Sequence, residues 1–204
     1  MEVKDKTMYH FHHNFLFKDI WVPGNELTVD NNFNSQYGTI LKRFKTGFMT
    51  KEKLVPFNKI IRYYLDEKAD TETYIKLLED AEYIIKGTNL FEREMALEIV
   101  RRLCYPELPS REHSIWLCDE NSMRHWESTL SSADDLELFR VSVTGELFKS
   151  SDAFLPDDGI PFIDIVNNSK KYWEPKFENE YQENQAEYLF QGKVKILEKI
   201  KKTN

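Results

Sequence analysis

The segment Gln185-Ala186-Glu187-Tyr188-Leu189-Phe190-Gln191-Gly192 joins one acidic side chain to an apolar, strand-like run. On a strand, side chains alternate in direction, so we expect Gln185 and Glu187 on one face and Tyr188 and Phe190 on the other. A carboxylate fixed on a rigid strand can stabilise positive charge at an anomeric carbon, as glycosidic-bond chemistry requires. The same pattern also fits a solvated acid at a strand edge, so other segments have to decide between the two interpretations.

The length and charge of the chain limit the classes of protein to which it can belong. Its 204 residues suit a single domain, 1–204, and its net charge is −7. An acidic chain disfavours a broad basic surface for duplex nucleic acid, but a small site for a single strand or one base is compatible with it. No stretch approaches the ~20 apolar residues of a transmembrane helix, and Met1–Lys6 lacks the apolar core of a secretory signal. We therefore expect a cytoplasmic protein that does not associate with a membrane.

Common catalytic and metal-binding motifs are absent from the sequence. Cys104, His113, Cys118 and His125 fall in one window, but their irregular gaps do not match paired zinc-ligand spacing. Two cysteines are too few for a disulfide framework, although one bridge between them stays open. The chain also lacks G-x-S-x-G, P-loop and G-x-G-x-x-G motifs. We therefore expect no metal site and no glycine-rich phosphate loop.

Hydrophobic periodicity predicts strands at both ends of the chain and helices in the middle. The predicted helices are one near 53–65, a helical hairpin from Asp70 to Gly87 and from Asn89 to Leu103, and one at about Phe162–Trp173. The predicted strands include His113–Leu117, Leu136–Val143 ending in a turn at Thr144-Gly145, and two C-terminal runs separated by Gly192, with a final helix as the alternative. This order predicts an α+β fold with a helical subregion at about 51–105.

Two further segments carry side chains that can bind a polar ligand. His10 and His12 share a face of the first strand, where a histidine can donate to a ribose hydroxyl or be a hydrogen-bonded core residue. In Pro109–Leu117, Arg111 can meet a phosphate, and Trp116 or the later Trp126 can stack on a ring. A surface arginine and core tryptophans are equally compatible with that pattern.

Together these segments resemble the ADP-ribosyltransferase superfamily, whose members cleave NAD at its nicotinamide bond and transfer ADP-ribose to a target. Tyr9-His10-Phe11-His12 is similar to a first-strand element whose histidine holds ribose hydroxyls, although His12 stands where serine or threonine is expected. Ser110–Leu117 resembles the second strand, whose serine, here Ser114, helps to hold the nicotinamide-side ribose. Gln185–Phe190 resembles the strand of the catalytic glutamate, and closely the Ala-Glu-Phe-Leu segment of DarT-type toxins that modify DNA.

The resemblance implies a split, mainly antiparallel β-sheet around an NAD cleft, with the helical subregion as an unmatched insertion. NAD is then the co-substrate, Glu187 is the catalytic residue, and Gln185 orients the acceptor. The residues expected to bind the cofactor are His10, Tyr9, Phe11, His12, Arg111, Ser114, Trp116 and Trp126.

The resemblance also implies a function. It predicts a toxin-like mono-ADP-ribosyltransferase that modifies a base in single-stranded DNA or RNA, in a toxin–antitoxin or phage-defence setting with an antitoxin protein as a possible partner. Three alternatives stay open: a protein ADP-ribosyltransferase, a phosphotransferase that removes an RNA 2′-phosphate with NAD, and a non-catalytic module whose helical hairpin binds a partner.

Overall fold

The computed structural model describes residues 1–13, 20–32, 46–49, 54–67, 70–131 and 136–200. The strands are β1 (Glu2–His13), β2 (Glu26–Val29), β3 (Gly47–Met49), β4 (Leu54–Pro56), β5 (Ile115–Leu117), β6 (Leu136–Ser151) and β7 (Ala186–Ile200). The helices are α1 (Phe57–Glu67), α2 (Thr71–Cys104), α3 (Met123–Leu130), α4 (Phe162–Trp173) and α5 (Glu180–Asn184), with a short 3₁₀ turn at Asp152–Phe154. The described part is therefore mixed α and β, as the sequence predicts.

One antiparallel sheet contains most of the described strands. Its order is β1-β6-β7-β2, and β5 pairs with β7 beside β2. Cys118, the residue after β5, exchanges two backbone hydrogen bonds of 2.9 Å with Tyr9 of β1. Since β5 is thereby linked to both β7 and β1, the sheet curls and acquires an inner and an outer face.

The inner face holds the main hydrophobic core, and helices cover part of the outer face. Side chains of the inner-face cluster include Met8, Ile115, Leu117, Phe139, Val141, Val143, Tyr188, Phe190, Val194 and Ile196. On the outer face Leu189 packs with Leu97 of α2 and with Tyr172 and Trp173 of α4. The Trp173 indole donates to the Leu97 carbonyl at 2.9 Å, so α4 is joined to α2 as well as to the sheet.

Two glycines lie inside strands and not in turns, so the predicted turn at Thr144-Gly145 and the predicted break at Gly192 are wrong. Strands β6 and β7 run through these positions, and Gly145 pairs with Gly192. A Cβ atom on Gly145 would lie 2.8 Å from the Gly192 Cα and 2.4 Å from the Gln191 carbonyl oxygen. The glycines therefore permit close approach of two backbones. The alternative of a final helix is also wrong, because β7 continues to Ile200.

The predicted helical hairpin is one continuous helix, α2. Asp70 is its N-cap, as predicted, and accepts from the Thr73 backbone N–H at 2.8 Å. Gly87 lies within the helix and does not end it. A helical glycine costs only about 1 kcal/mol relative to alanine, which continued packing of the helix can outweigh. The predicted helix near 53–65 is present as α1, and α4 has the predicted bounds.

None of the helices in the described residues is long and apolar enough to cross a membrane.

Candidate functional site

Glu187 is the second residue of β7 and lies beneath the helices that cover the outer face. Its side chain points away from the inner-face neighbours Ala186 and Tyr188. Glu187 is only 2% exposed. Its Oε1 atom accepts hydrogen bonds from Arg111 Nη1 at 2.7 Å and from the Tyr172 hydroxyl. The carboxylate is therefore held by groups from two other parts of the chain.

Arg111 connects Glu187 to helix α2. Its guanidinium donates to Glu94 from Nε at 2.7 Å and from Nη2 at 3.0 Å. Arg111 Nη1 also donates to the Tyr172 hydroxyl at 2.5 Å, and the guanidinium lies 4.7 Å from the centre of that ring. We call Glu94, Arg111, Tyr172 and Glu187 the Arg111 cluster, which joins α2, α4 and β7 with the segment before β5.

The surroundings of Arg111 and Tyr172 keep both of these residues protonated at neutral pH. Burial opposes charge on Arg111, but the neighbouring Glu94, Tyr172 and Glu187 outweigh it and raise the pKa of Arg111 well above its ordinary value. Burial is also the main cause that raises the pKa of Tyr172 well above its ordinary value. Arg111 therefore stays charged, and Tyr172 keeps the proton that it donates to Glu187.

The position of Arg111 corrects the expectation that it meets a phosphate. Arg111 is 1% exposed, and its guanidinium binds two carboxylates. Its backbone N–H is also occupied, since it donates to Glu98 at 2.7 Å. Arg111 thus orients other side chains of the protein and does not face solvent.

Gln185 does not share a strand face with Glu187, which corrects the alternation predicted for this pair. β7 begins at Ala186, and Gln185 is the C-cap of α5 with φ −107° and ψ 15°. Its carbonyl accepts from the Asp152 backbone N–H at 3.0 Å. The alternation predicted for Tyr188 and Phe190 is confirmed, since both belong to the inner-face core.

His10 and Glu187, both selected from the sequence as site residues, lie on opposite faces of the sheet. His10 pairs with Phe139 of the inner face. Trp21 stacks on His10 with ring centres 4.3 Å apart and on His12 with ring centres 4.8 Å apart. His10 Nδ1 lies 2.8 Å from the Trp116 carbonyl, which can only accept, so this nitrogen carries a proton. His10 therefore supports β5 from the inner face.

Of the remaining candidates, Trp116 and Trp126 lie near Arg111 and Glu187, whereas Tyr9 and Phe11 lie on β1. Trp116 lies beside the Arg111 guanidinium, with its ring centre 5.2 Å away. The Trp126 indole donates to the Ala186 carbonyl at 2.8 Å, next to Glu187 in the chain. The Tyr9 hydroxyl donates to Glu120 at 3.0 Å, and Phe11 is half-buried on β1.

Ser114 carries a buried hydroxyl for which the described part of the chain provides no hydrogen-bond partner. The residue is fully buried, and its Oγ atom forms no hydrogen bond with any residue that the structure describes. It lies directly before β5 and three positions after Arg111. An unpaired buried hydroxyl costs free energy, so such groups in native proteins are uncommon and call for a physical reason.

Sequence reasoning missed Glu94, Tyr172 and Trp21. Glu94 and Glu98 flank Leu97 one helical turn apart, and two acids on an apolar helix face signal buried partners for their charges. Tyr172 and Trp21 carry no comparable signal, because an aromatic residue at a helix end or in a loop is ordinarily a packing residue.

No group of three or more metal-ligating side chains forms a potential metal site within the described ranges, and both thiols there are free. A comparison with curated protein sequences finds no match. A family model described as "Protein of unknown function (DUF2441)" matches residues 8–202. Since the match covers nearly the whole chain, this protein belongs to the DUF2441 family.

Proposed function

We propose that this protein is an NAD-dependent mono-ADP-ribosyltransferase, toxin-like in kind, that modifies a base in single-stranded DNA or RNA. One observation carries the proposal. Arg111 and Trp116, selected in one segment of the sequence, meet Glu187, selected in another, on the outer face where β5 pairs with β7. Ser114, selected with them, begins the same strand segment.

Glu187 is suited to stabilise a developing cation. NAD supplies the activated bond between its ribose and nicotinamide, and cleavage of that bond places positive charge on the ribose. Arg111 and Tyr172 both bind Oε1 of Glu187, and no described side chain donates to Oε2. Oε2 is thus the oxygen with which Glu187 would accept a hydrogen bond from a ribose hydroxyl and stabilise the positive charge on the ribose.

The Ser114 hydroxyl supports a polar ligand at this position. An unsatisfied buried polar group costs about 1–3 kcal/mol, and a ligand hydroxyl that bonds to Ser114 would remove that cost. Ribose hydroxyls can both donate and accept, so they match a serine hydroxyl. In this proposal Ser114 and Glu187 bind the ribose, and His10 supports β5 through the Trp116 carbonyl.

The burial of Glu187 has a consequence for substrate entry. Because Glu187 is only 2% exposed, NAD can reach its carboxylate only if groups that cover it move. A site that closes around its substrate excludes water, which strengthens electrostatic stabilisation and protects the reactive ribose from hydrolysis.

The proposal is tested with labelled NAD and three acceptors: single-stranded DNA, RNA and cell protein. Mass spectrometry of each fraction identifies any added ADP-ribose. We expect the label on a base of one nucleic acid. Label only on protein would move the proposal to a protein ADP-ribosyltransferase, and no NAD consumption with any acceptor would contradict it.

A second candidate, a non-catalytic interaction module, is favoured by the exposed apolar side chains on the first half of α2. Ile75, Leu78, Tyr83 and Ile85 are all exposed there. In that case NAD should not change the melting temperature, and Leu78→Asp should weaken partner binding without altering stability. A clear rise in melting temperature with NAD would favour the transferase.

A further inference from the structure

We infer that Glu94 of α2 is a positioning residue for Glu187 and acts through the Arg111 guanidinium. The inference rests on the proposed function and deepens it, because it makes the long helix part of the catalytic site. Glu94 has no exposed surface and binds two nitrogens of Arg111, Nε at 2.7 Å and Nη2 at 3.0 Å.

This bidentate contact fixes the plane of the guanidinium. A carboxylate that binds two nitrogens of a planar fork prevents rotation of the fork. Arg111 Nη1 is then directed at Tyr172 and Glu187, at 2.5 Å and 2.7 Å. Glu94 thereby determines where the donor to Glu187 lies, although Glu94 itself has no bond to Glu187 among the described contacts.

The position of this donor decides which oxygen of Glu187 is available. Both described donors reach Oε1, which leaves Oε2 for a substrate hydroxyl. If the guanidinium turned, Glu187 would lose one donor and could rotate its carboxylate. A misplacement of about 1 Å in a catalytic group can cost roughly 100-fold in rate.

Glu98 provides a matched control on the same helix. It lies one turn after Glu94 and is also buried. Glu98 binds the Arg111 backbone N–H at 2.7 Å and Arg101 Nε at 3.0 Å, but no described contact joins it to the Arg111 guanidinium. Loss of the Glu98 charge should therefore weaken the attachment of the Arg111 backbone to α2 more than it changes the orientation of Glu187.

The test compares Glu94→Gln with Glu98→Gln in steady-state NAD turnover by the full chain. Glutamine keeps the shape, but its amide nitrogen would face a guanidinium N–H, so the bidentate contact is lost. We expect Glu94→Gln to lower kcat by about 10- to 100-fold, with KM for NAD unchanged within about threefold. Glu98→Gln should lower the melting temperature about as much as Glu94→Gln does, but it should lower kcat by no more than about threefold.

Rates are measured at a temperature at which circular dichroism shows each variant to be fully folded. A loss of stability is then not mistaken for a loss of rate. If Glu94→Gln does not fold, Glu94→Asp, which keeps the charge but shortens the reach, takes its place with the same expected result. Equal losses of kcat in the two variants, or none in Glu94→Gln, would overturn the inference alone. Absence of NAD turnover in the wild type would instead overturn the proposed function and the inference with it.

Discussion

The two faces of the sheet bury different kinds of polar side chain, charged groups on the outer face and histidines on the inner face. On the outer face, the Arg111 cluster holds two carboxylates and one guanidinium almost fully out of solvent. On the inner face, His10 and His12 stack on Trp21 beside the apolar core. Charged groups are much more costly to bury than stacked imidazoles, so the outer face depends on its partners far more strongly.

This difference matters for function, because packing alone explains the buried histidines but does not explain the buried ion-pair cluster. A stacked histidine bonded to a backbone carbonyl is accounted for by the fold. A buried ion-pair cluster is weak evidence for stability, because well-packed apolar residues of the same volume often serve as well. We therefore expect the Arg111 cluster on the outer face to serve function, and the histidines on the inner face to serve packing.

The largest effect on stability is expected from Arg111→Met. Removal of the guanidinium leaves Glu94 and Glu187 buried without their cation, which should lower the free energy of unfolding by about 3–5 kcal/mol. Urea denaturation measures the change. Lys86→Met is the control, since Lys86 pairs with Glu82 and the two side chains are 75% and 63% exposed, and it should cost far less. Equal losses in the two variants would remove the contrast between buried and exposed pairs.

A smaller effect is expected from Trp21→Ala on the inner face. Trp21 is only partly buried, so its loss should cost about 2 kcal/mol, below the range for a fully buried tryptophan. NAD turnover should stay within about threefold of wild type, because Trp21 and the Arg111 cluster lie on opposite faces. A large fall in turnover by a stably folded variant would place the inner face in the catalytic site.

The smallest effect is expected from Tyr172→Phe and concerns alkaline pH. The pKa of Tyr172 is raised in the folded protein, chiefly by burial. The contribution of its protonated hydroxyl is therefore fully present below the unfolded pKa of about 10, and it is lost as the pH rises beyond that value. Wild-type stability should fall above about pH 10, and Tyr172→Phe should reduce that fall.

The inner face offers the matched comparison. The pKa of Tyr188 is also raised, mainly by burial and then by its hydrogen bond to Asp119. Tyr188→Phe should reduce the alkaline loss in the same direction. Urea titrations between neutral and alkaline pH measure both variants. If the profile of Tyr172→Phe were the same as that of the wild type, the buried position assigned to this hydroxyl would be wrong.

Local patterns in the sequence predicted local structure well. The cap at Asp70, the bounds of α4 and the inward direction of Tyr188 and Phe190 each depend on a few neighbouring residues. Gly87 and Gly145 misled the prediction for a physical reason. A glycine signals a turn only when no continuing helix or neighbouring strand requires it, and that condition depends on distant parts of the chain.

The assembly of the candidate site was only partly predictable. Arg111 and Glu187 were each selected from the sequence, but their direct contact joins residues far apart in the chain. The separation of His10 from Glu187 follows from the register in which β1 pairs with β6 and β6 with β7, which no short segment encodes. Glu94 could have been found, since an acid on a buried helix face requires a cationic partner.

NAD turnover by Glu187→Gln tests most directly whether Glu187 is the catalytic residue. This change keeps the shape of the side chain but removes its charge, and Arg111 keeps Glu94 as its partner. We predict that turnover falls by about 100- to 1,000-fold or more while the melting temperature stays within a few degrees of wild type. Wild-type turnover in a folded Glu187→Gln protein would contradict the assignment of Glu187 as the catalytic residue.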